Sequence, residues 1–129
     1  FKLVEFGGEP RMKQSDNSFK SSLPGQKMVW EIRDAQGRPL RRVIALEGEK
    51  LQLGPGERAV AQLHRVVQAG EVIASPRSLA AIGRYSDNEQ RRYRGGPQRA
   101  TLSPGLVLLR QRLTDKLRKE RQQMARSKR

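Results

Sequence analysis

KMVWEIRDAQGRPLRRVIALEGE, residues 27–49, is the stretch whose reading decides the fold class. Met28, Trp30 and Ile32 alternate with Val29, Glu31 and Arg33, the period-two pattern of a strand with two distinct faces. DAQGR supplies turn chemistry, with Gly37 free to take positive φ, and PLRRVIALEGE returns as the partner strand. A hairpin therefore sits near the front of the chain.

Moving toward the N-terminus, FKLVEF is another short alternating run, turned by Gly7-Gly8 so that PRMKQ pairs back as a second hairpin. Moving the other way, LGPGE (53–57) breaks the chain, and AQLHRVVQAGEVIA reads as a hairpin around Ala69-Gly70, its first half also compatible with a helix. After Pro76 the period changes. SLAAIGRY predicts a short helix capped by Ser75 or Ser78, and SDNEQRRYR a second one from a Ser86-x-x-Glu89 capping box to Gly95-Gly96.

The strongest helix signal is LSPGLVLLRQRLTDKLRKERQQMA (102–125). Ser103 caps it, Pro104 takes the first helical position, and Leu102 is placed to staple against Val107. Leu102, Leu106, Leu109, Leu113 and Leu117 form one apolar stripe, which needs a surface, and the sheet is the obvious one. The expectation is an α+β chain: antiparallel β-hairpins forming a small sheet, then short helices and a long amphipathic C-terminal helix.

Composition narrows the partners. The chain has 129 residues, enough for one domain, with 35% apolar and 5% aromatic residues and hence a lean core. A net charge of +14 favours anionic partners, nucleic acid first among them. Residues 110–129 carry nine Lys/Arg against Asp115 and Glu120, half of the total charge. Without cysteine there are no disulfides or thiolate metal sites. No run approaches the roughly 18 apolar residues of a membrane span, and no signal peptide is visible. The chain starts at Phe1, inside a strand-like run, which reads as a fragment of a longer protein.

Catalytic chemistry finds little to work with. His64 is the lone histidine, without partners for a metal site or a triad, and its ordinary reading is a structural or exposed side chain on a strand. GPG and RGGP are turns rather than phosphate loops, and Glu47 and Glu49 read as solvated carboxylates. Two basic features remain. The run KLRKERQQMARSKR suits nucleic acid or, lacking aromatics for base stacking, simply a solvated helix face and tail. The loop carrying Lys13, Lys20 and Lys27 at seven-residue spacing, with serines and Pro24-Gly25, suits phosphate contact or an ordinary surface connection.

Residues 1–49 as a whole resemble the C-terminal part of nicotinate phosphoribosyltransferases. Lys2-Leu3-Val4, Pro10-Arg11-Met12-Lys13, Ser15, Lys20, Pro24-Gly25-Gln26-Lys27 and Trp30 follow the family's order of motifs. The Gly-Arg-Pro-Leu turn, PRSLAAI and LSPGLVLLRQRL extend the likeness over nearly the whole chain. Phe1 stands in place of the usual tyrosine, Gln14 in place of a leucine, and the region between Ile82 and Leu102 is shorter.

The resemblance implies a cytoplasmic parent enzyme of pyridine nucleotide salvage, with ATP hydrolysis coupled through a phosphohistidine and magnesium on the phosphates. It would join nicotinate to phosphoribosyl pyrophosphate, giving nicotinate mononucleotide for NAD synthesis. On that reading residues 1–14 end a hairpin continuous with a missing catalytic part, 15–125 form the C-terminal domain, and 126–129 are a basic tail. The barrel and its catalytic histidine lie upstream, so the fragment alone holds no catalytic or metal-binding residue and is inactive. Arg11 and Lys13, and then Lys20 and Lys27, are the candidates for lying near substrate phosphates. Partners are the upstream domains and a further copy in a homo-oligomer. The rival reading is a small basic nucleic-acid-binding domain, which leaves the motifs of residues 11–46 unexplained.

Overall fold

The computed structural model describes residues 2–15, 20–75, 77–92 and 100–127. Its architecture is α+β, as the alternation of short strand patterns and later helical ones requires. Strands β1 (Glu5–Phe6) and β2 (Glu9–Pro10) form a hairpin in the register Glu5↔Pro10 and Phe6↔Glu9. Gly7 and Gly8 turn it with φ of 58° and 76°, a conformation closed to most side chains. The hairpin is shorter than the FKLVEF/PRMKQ pattern predicts. It extends by one further bond, from the Arg11 N–H to the Val4 carbonyl, before the chain leaves the sheet.

The main sheet has four strands. They are β3 (Lys27–Arg33), β4 (Pro39–Leu46), β5 (Arg58–Ala61) and a later strand at Ala100–Leu102. Gly37, at φ 83°, closes the turn between β3 and β4, and the Asp34 carboxylate accepts from the Arg38 backbone N–H at 2.8 Å. β5 pairs antiparallel with β3, from Trp30↔Ala61 to Arg33↔Arg58. Next come β6 (Val67–Gln68) and β7 (Glu71–Val72), a separate hairpin turned by Ala69 and Gly70. The helical alternative for residues 61–68 is not taken, and Arg58–Ala61 joins the sheet instead of this hairpin.

Helix α1 (Leu79–Arg92) is one continuous element where two short helices were expected. Ser78 caps it, accepting at Oγ from the Ala81 N–H at 3.2 Å, and Ser86 lies inside it. The expected stop at Gly95-Gly96 falls outside the described residues. Strand β8 (Ala100–Leu102) then completes the order β5-β3-β4-β8, a strand absent from the sequence expectation. Helix α2 (Pro104–Arg126) starts where predicted: Ser103 has extended backbone and its side chain accepts from the Leu106 N–H.

The chain divides into two compact units. One comprises residues 1–27, 44–50 and 102–129, and buries Pro24, Ala45, Ser103 and Leu106. Leu102, Leu109, Leu113 and Leu117 are half-buried, and most neighbours along α2 are exposed. The stripe is therefore the covered face. In this unit its cover includes loop as well as strand: a Cβ built on Gly25 would lie 3.2 Å from Leu46 and 3.3 Å from Leu109. Leu113 and Leu117 line a depression together with Pro10 and Met12. Val107, the expected staple partner, is 45% exposed.

The other unit comprises residues 28–43 and 51–101. Ile32 and Glu31 are both fully buried there, so β3 is covered on both faces at its far end. Burial of a carboxylate demands compensation. Glu31 Oε1 receives it from the Arg33 Nε and, at 2.9 Å, from the Arg92 guanidinium of α1. Its Oε2 has no hydrogen-bond partner among the described residues.

Candidate anion-binding groove

The site starts from two segments that run side by side without forming a sheet. The Lys13 N–H donates to the Ser22 Oγ at 2.8 Å, and the Ser22 N–H donates to the Lys13 carbonyl at 3.0 Å. One register step on, the Ser15 N–H donates to the Ser21 Oγ at 3.2 Å, and that hydroxyl donates to the Ser15 carbonyl. Serine side chains here do work that a ladder would give to the backbone. The result holds residues 12–15 against 21–23 and leaves the Lys13 side chain exposed.

Those segments and one turn of α2 line a groove of about 270 Å³. Met12 and Leu23 contribute apolar surface; Lys13, Gln14, Ser15, Ser21, Ser22, Arg110 and Thr114 contribute polar groups. No carboxylate lines it among the described residues. A second depression is shared by Lys2, Leu3, Arg11, Met12 and Lys13. The structure thus brings Arg11 and Lys13 together.

Lys20 and Lys27 are placed differently. Lys20 is exposed and lines neither depression. Lys27 is half-buried, and its Nζ donates to the carbonyls of Leu23 at 2.8 Å, Pro24 at 3.4 Å and Gly25. An ammonium has three protons, and three carbonyls receive them. Burial lowers the Lys27 pKa below its ordinary value, with the Glu5 carboxylate pulling the other way. Lys27 fixes the Leu-Pro-Gly turn, whose Gly25 sits at φ 73°.

A second place for an anion is already filled. The N-terminus of α2 presents unpaired N–H groups. The Glu49 carboxylate occupies it, accepting from the Ser103 hydroxyl at 2.6 Å, the Gly105 N–H at 2.8 Å and the Leu46 N–H at 3.1 Å. Partial burial pushes the Glu49 pKa up, and these three bonds outweigh it, holding the carboxyl below its usual range. Glu49, read from sequence as a solvated carboxylate, is a helix cap. Its signal was its position three residues past Leu46 in a Gly-containing turn, which gives no hint of a helix start more than fifty residues later.

His64 is exposed, in the segment between β5 and β6 rather than on a strand. Among the described residues no group of three His, Cys, Asp or Glu side chains is placed to hold a metal ion. No helix among them is long and apolar enough to cross a membrane.

Comparison with known proteins places this geometry in a context. Over 49 residues the chain is 39% identical to a nicotinate phosphoribosyltransferase of Homo sapiens, a match covering 38% of this chain and 9% of that protein. Over 81 residues it is 30% identical to a nicotinate phosphoribosyltransferase of Dictyostelium discoideum, covering 59% of this chain and 14% of that protein. The similarity is to short stretches of these enzymes. No family model matches the chain. The basic face of α2 carries no aromatic side chain on which bases would stack, so the nucleic-acid reading gains no support from it.

Proposed function

We propose that the chain is the C-terminal part of a nicotinate phosphoribosyltransferase, the cytoplasmic enzyme that makes nicotinate mononucleotide from nicotinate and phosphoribosyl pyrophosphate. The observation that carries this reading is the similarity to two such enzymes from distant organisms. Arg11 and Lys13 support it: both are exposed, they share one depression, and neither has an ion-pair partner among the described residues. Positioned cations of this kind stabilise negative charge that builds on a departing pyrophosphate.

The groove's side chains suit phosphate oxygens and do not suit a divalent cation, because no carboxylate among the described residues lines it. Magnesium and ATP are therefore assigned to the upstream part of the enzyme. The same holds for the phosphohistidine. Nicotinate binding likewise belongs upstream.

The full-length protein, given nicotinate, phosphoribosyl pyrophosphate, ATP and magnesium, should form the mononucleotide, and this chain alone should not. Lys13→Met in the full-length enzyme should lower catalytic efficiency toward phosphoribosyl pyrophosphate by about ten- to a hundredfold, the loss of one charge-assisted hydrogen bond. Its nicotinate dependence should move far less. A full-length protein with no such turnover overturns the reading.

A further inference from the structure

We infer that the β6–β7 hairpin is an arm that the upstream part of the same polypeptide, the part preceding Phe1, encloses on both faces. The inference rests on the transferase reading and goes beyond it, giving a partner to a surface that has no role there.

Strand alternation sets the two faces. Val67 and Val72 are cross-strand partners. The Ile73 N–H donates to the Val66 carbonyl at 2.9 Å, which pairs the next two residues. Successive residues of a strand point to opposite sides, so Val67 and Val72 share one face and Val66 and Ile73 the other. All four are between 51% and 71% exposed. Single exposed apolar side chains are ordinary; a hairpin apolar on both faces and covered on neither is not.

The hairpin is also poorly built to stand alone. Its strands are two residues each, without the third strand or packed helix that gives a sheet independent stability. The turn holds Ala69 at φ 50° and Gly70 at φ 86°, the two positive values of a type I′ turn. Asn, Asp or Gly suits the first of these positions, and alanine is strained there. Such an element calls for cover that the described residues do not supply.

Charge and chain length choose the cover. Residues 63–75 carry Arg65 and Glu71, a net charge of zero within a chain of +14. A second copy seated here would bring another +14 against the first, which opposes association. A neutral apolar arm suits a different body. Covering both faces takes a cleft rather than a flat patch. The matched stretches make up 9% and 14% of the two relatives, so most of such an enzyme lies outside them and is long enough to form that cleft.

The test uses the full-length protein, with the photo-cross-linking residue benzoylphenylalanine placed in turn at Val72 and at Ile73, one on each face. Each should join to a peptide upstream of Phe1 at the mass of a single chain. Doubled mass, cross-links confined to residues 1–129, or no cross-link from either position would each overturn the enclosure. Residue-resolved hydrogen exchange on the unaltered full-length protein avoids any fault in folding. In this register the Val67 and Val72 N–H groups point to the open edges of the hairpin. Once enclosed, they should exchange at least about tenfold more slowly than in an unfolded peptide. Exchange at the peptide rate at either position also overturns the inference. Nicotinate mononucleotide is assayed separately. Turnover with an uncovered arm defeats this inference alone, and an enclosed arm without turnover defeats the transferase reading alone.

Discussion

In the unit of residues 28–43 and 51–101, Arg33 and Arg92 stand on the buried Glu31, and Arg92 also holds Glu89 at 2.7 Å. Arg41 grips both oxygens of Glu57, one of them at 2.8 Å. In the unit of residues 1–27, 44–50 and 102–129, the Glu49 carboxylate is spent on backbone and serine donors and Lys27 on carbonyls, while Lys13 and Arg110 face a groove without a carboxylate among its described residues. The difference teaches that net charge says little about binding. Cations with internal partners hold the fold together, and those left over are the ones available to a ligand.

The largest effect should come from breaking the first pattern. Glu31→Ala strips Arg33 and Arg92 of their shared carboxylate and should cost about 3–5 kcal/mol, read from urea denaturation. A loss under about 1 kcal/mol would show that the cluster contributes nothing special.

The two lysines of the second unit sharpen the contrast. Lys27→Met leaves three turn carbonyls without their ammonium and should cost roughly 1–3 kcal/mol. Lys13→Met should stay within about 0.5 kcal/mol, because its exposed side chain carries no ion pair among the described residues. Equal melting temperatures for the two variants would erase the distinction between a structural and an available lysine.

The smallest effect is in acid. Hydrogen bonds from Arg41 first, and then from the Gly54 N–H, bring the Glu57 pKa from its ordinary 4.5 down to about 2. A carboxylate depressed in the folded state stabilises it fully above the unfolded value. That contribution fades as pH falls from about 4.5 through about 2. Stability measured across this window should fall less steeply in Arg41→Met than in the unaltered chain. Parallel acid limbs would show that the pair adds no pH dependence.

How much of this was readable beforehand depended on how local each signal was. Ser103-Pro104 and the leucine spacing are local, and α2 starts where they put it. Gly7-Gly8 and Gly37 mark turns that any partner strand would need. Ala100–Leu102 is three residues long, too short for alternation, and becomes a strand only beside β4: the Thr101 hydroxyl donates to the Arg42 carbonyl at 3.2 Å, and the Ser103 N–H to Ile44 at 2.9 Å. Ser86 carries a sound capping signal, yet α1 runs through it. There its hydroxyl accepts from Gln90, at a long 3.4 Å, as an ordinary helix-surface side chain. The groove was half legible. Lys13 stands out by its spacing, but Arg110 joins it only because α2 lies along a loop nearly a hundred residues earlier, and no sequence window spans that.

The Glu49 cap carries one more consequence, for how this chain tolerates change. A Cβ built on Gly105 would stand 2.7 Å from the Glu49 carboxyl carbon, so alanine at 105 collides with the group that caps the helix. Positions 49, 103 and 105 are therefore not free to drift separately. A chain that gains a side chain at 105 must move the acid at 49 off the helix end or shorten it, and one that loses the acid at 49 no longer requires glycine at 105. Among relatives the three should change as a set, a correlation visible by counting substitutions and requiring no assay.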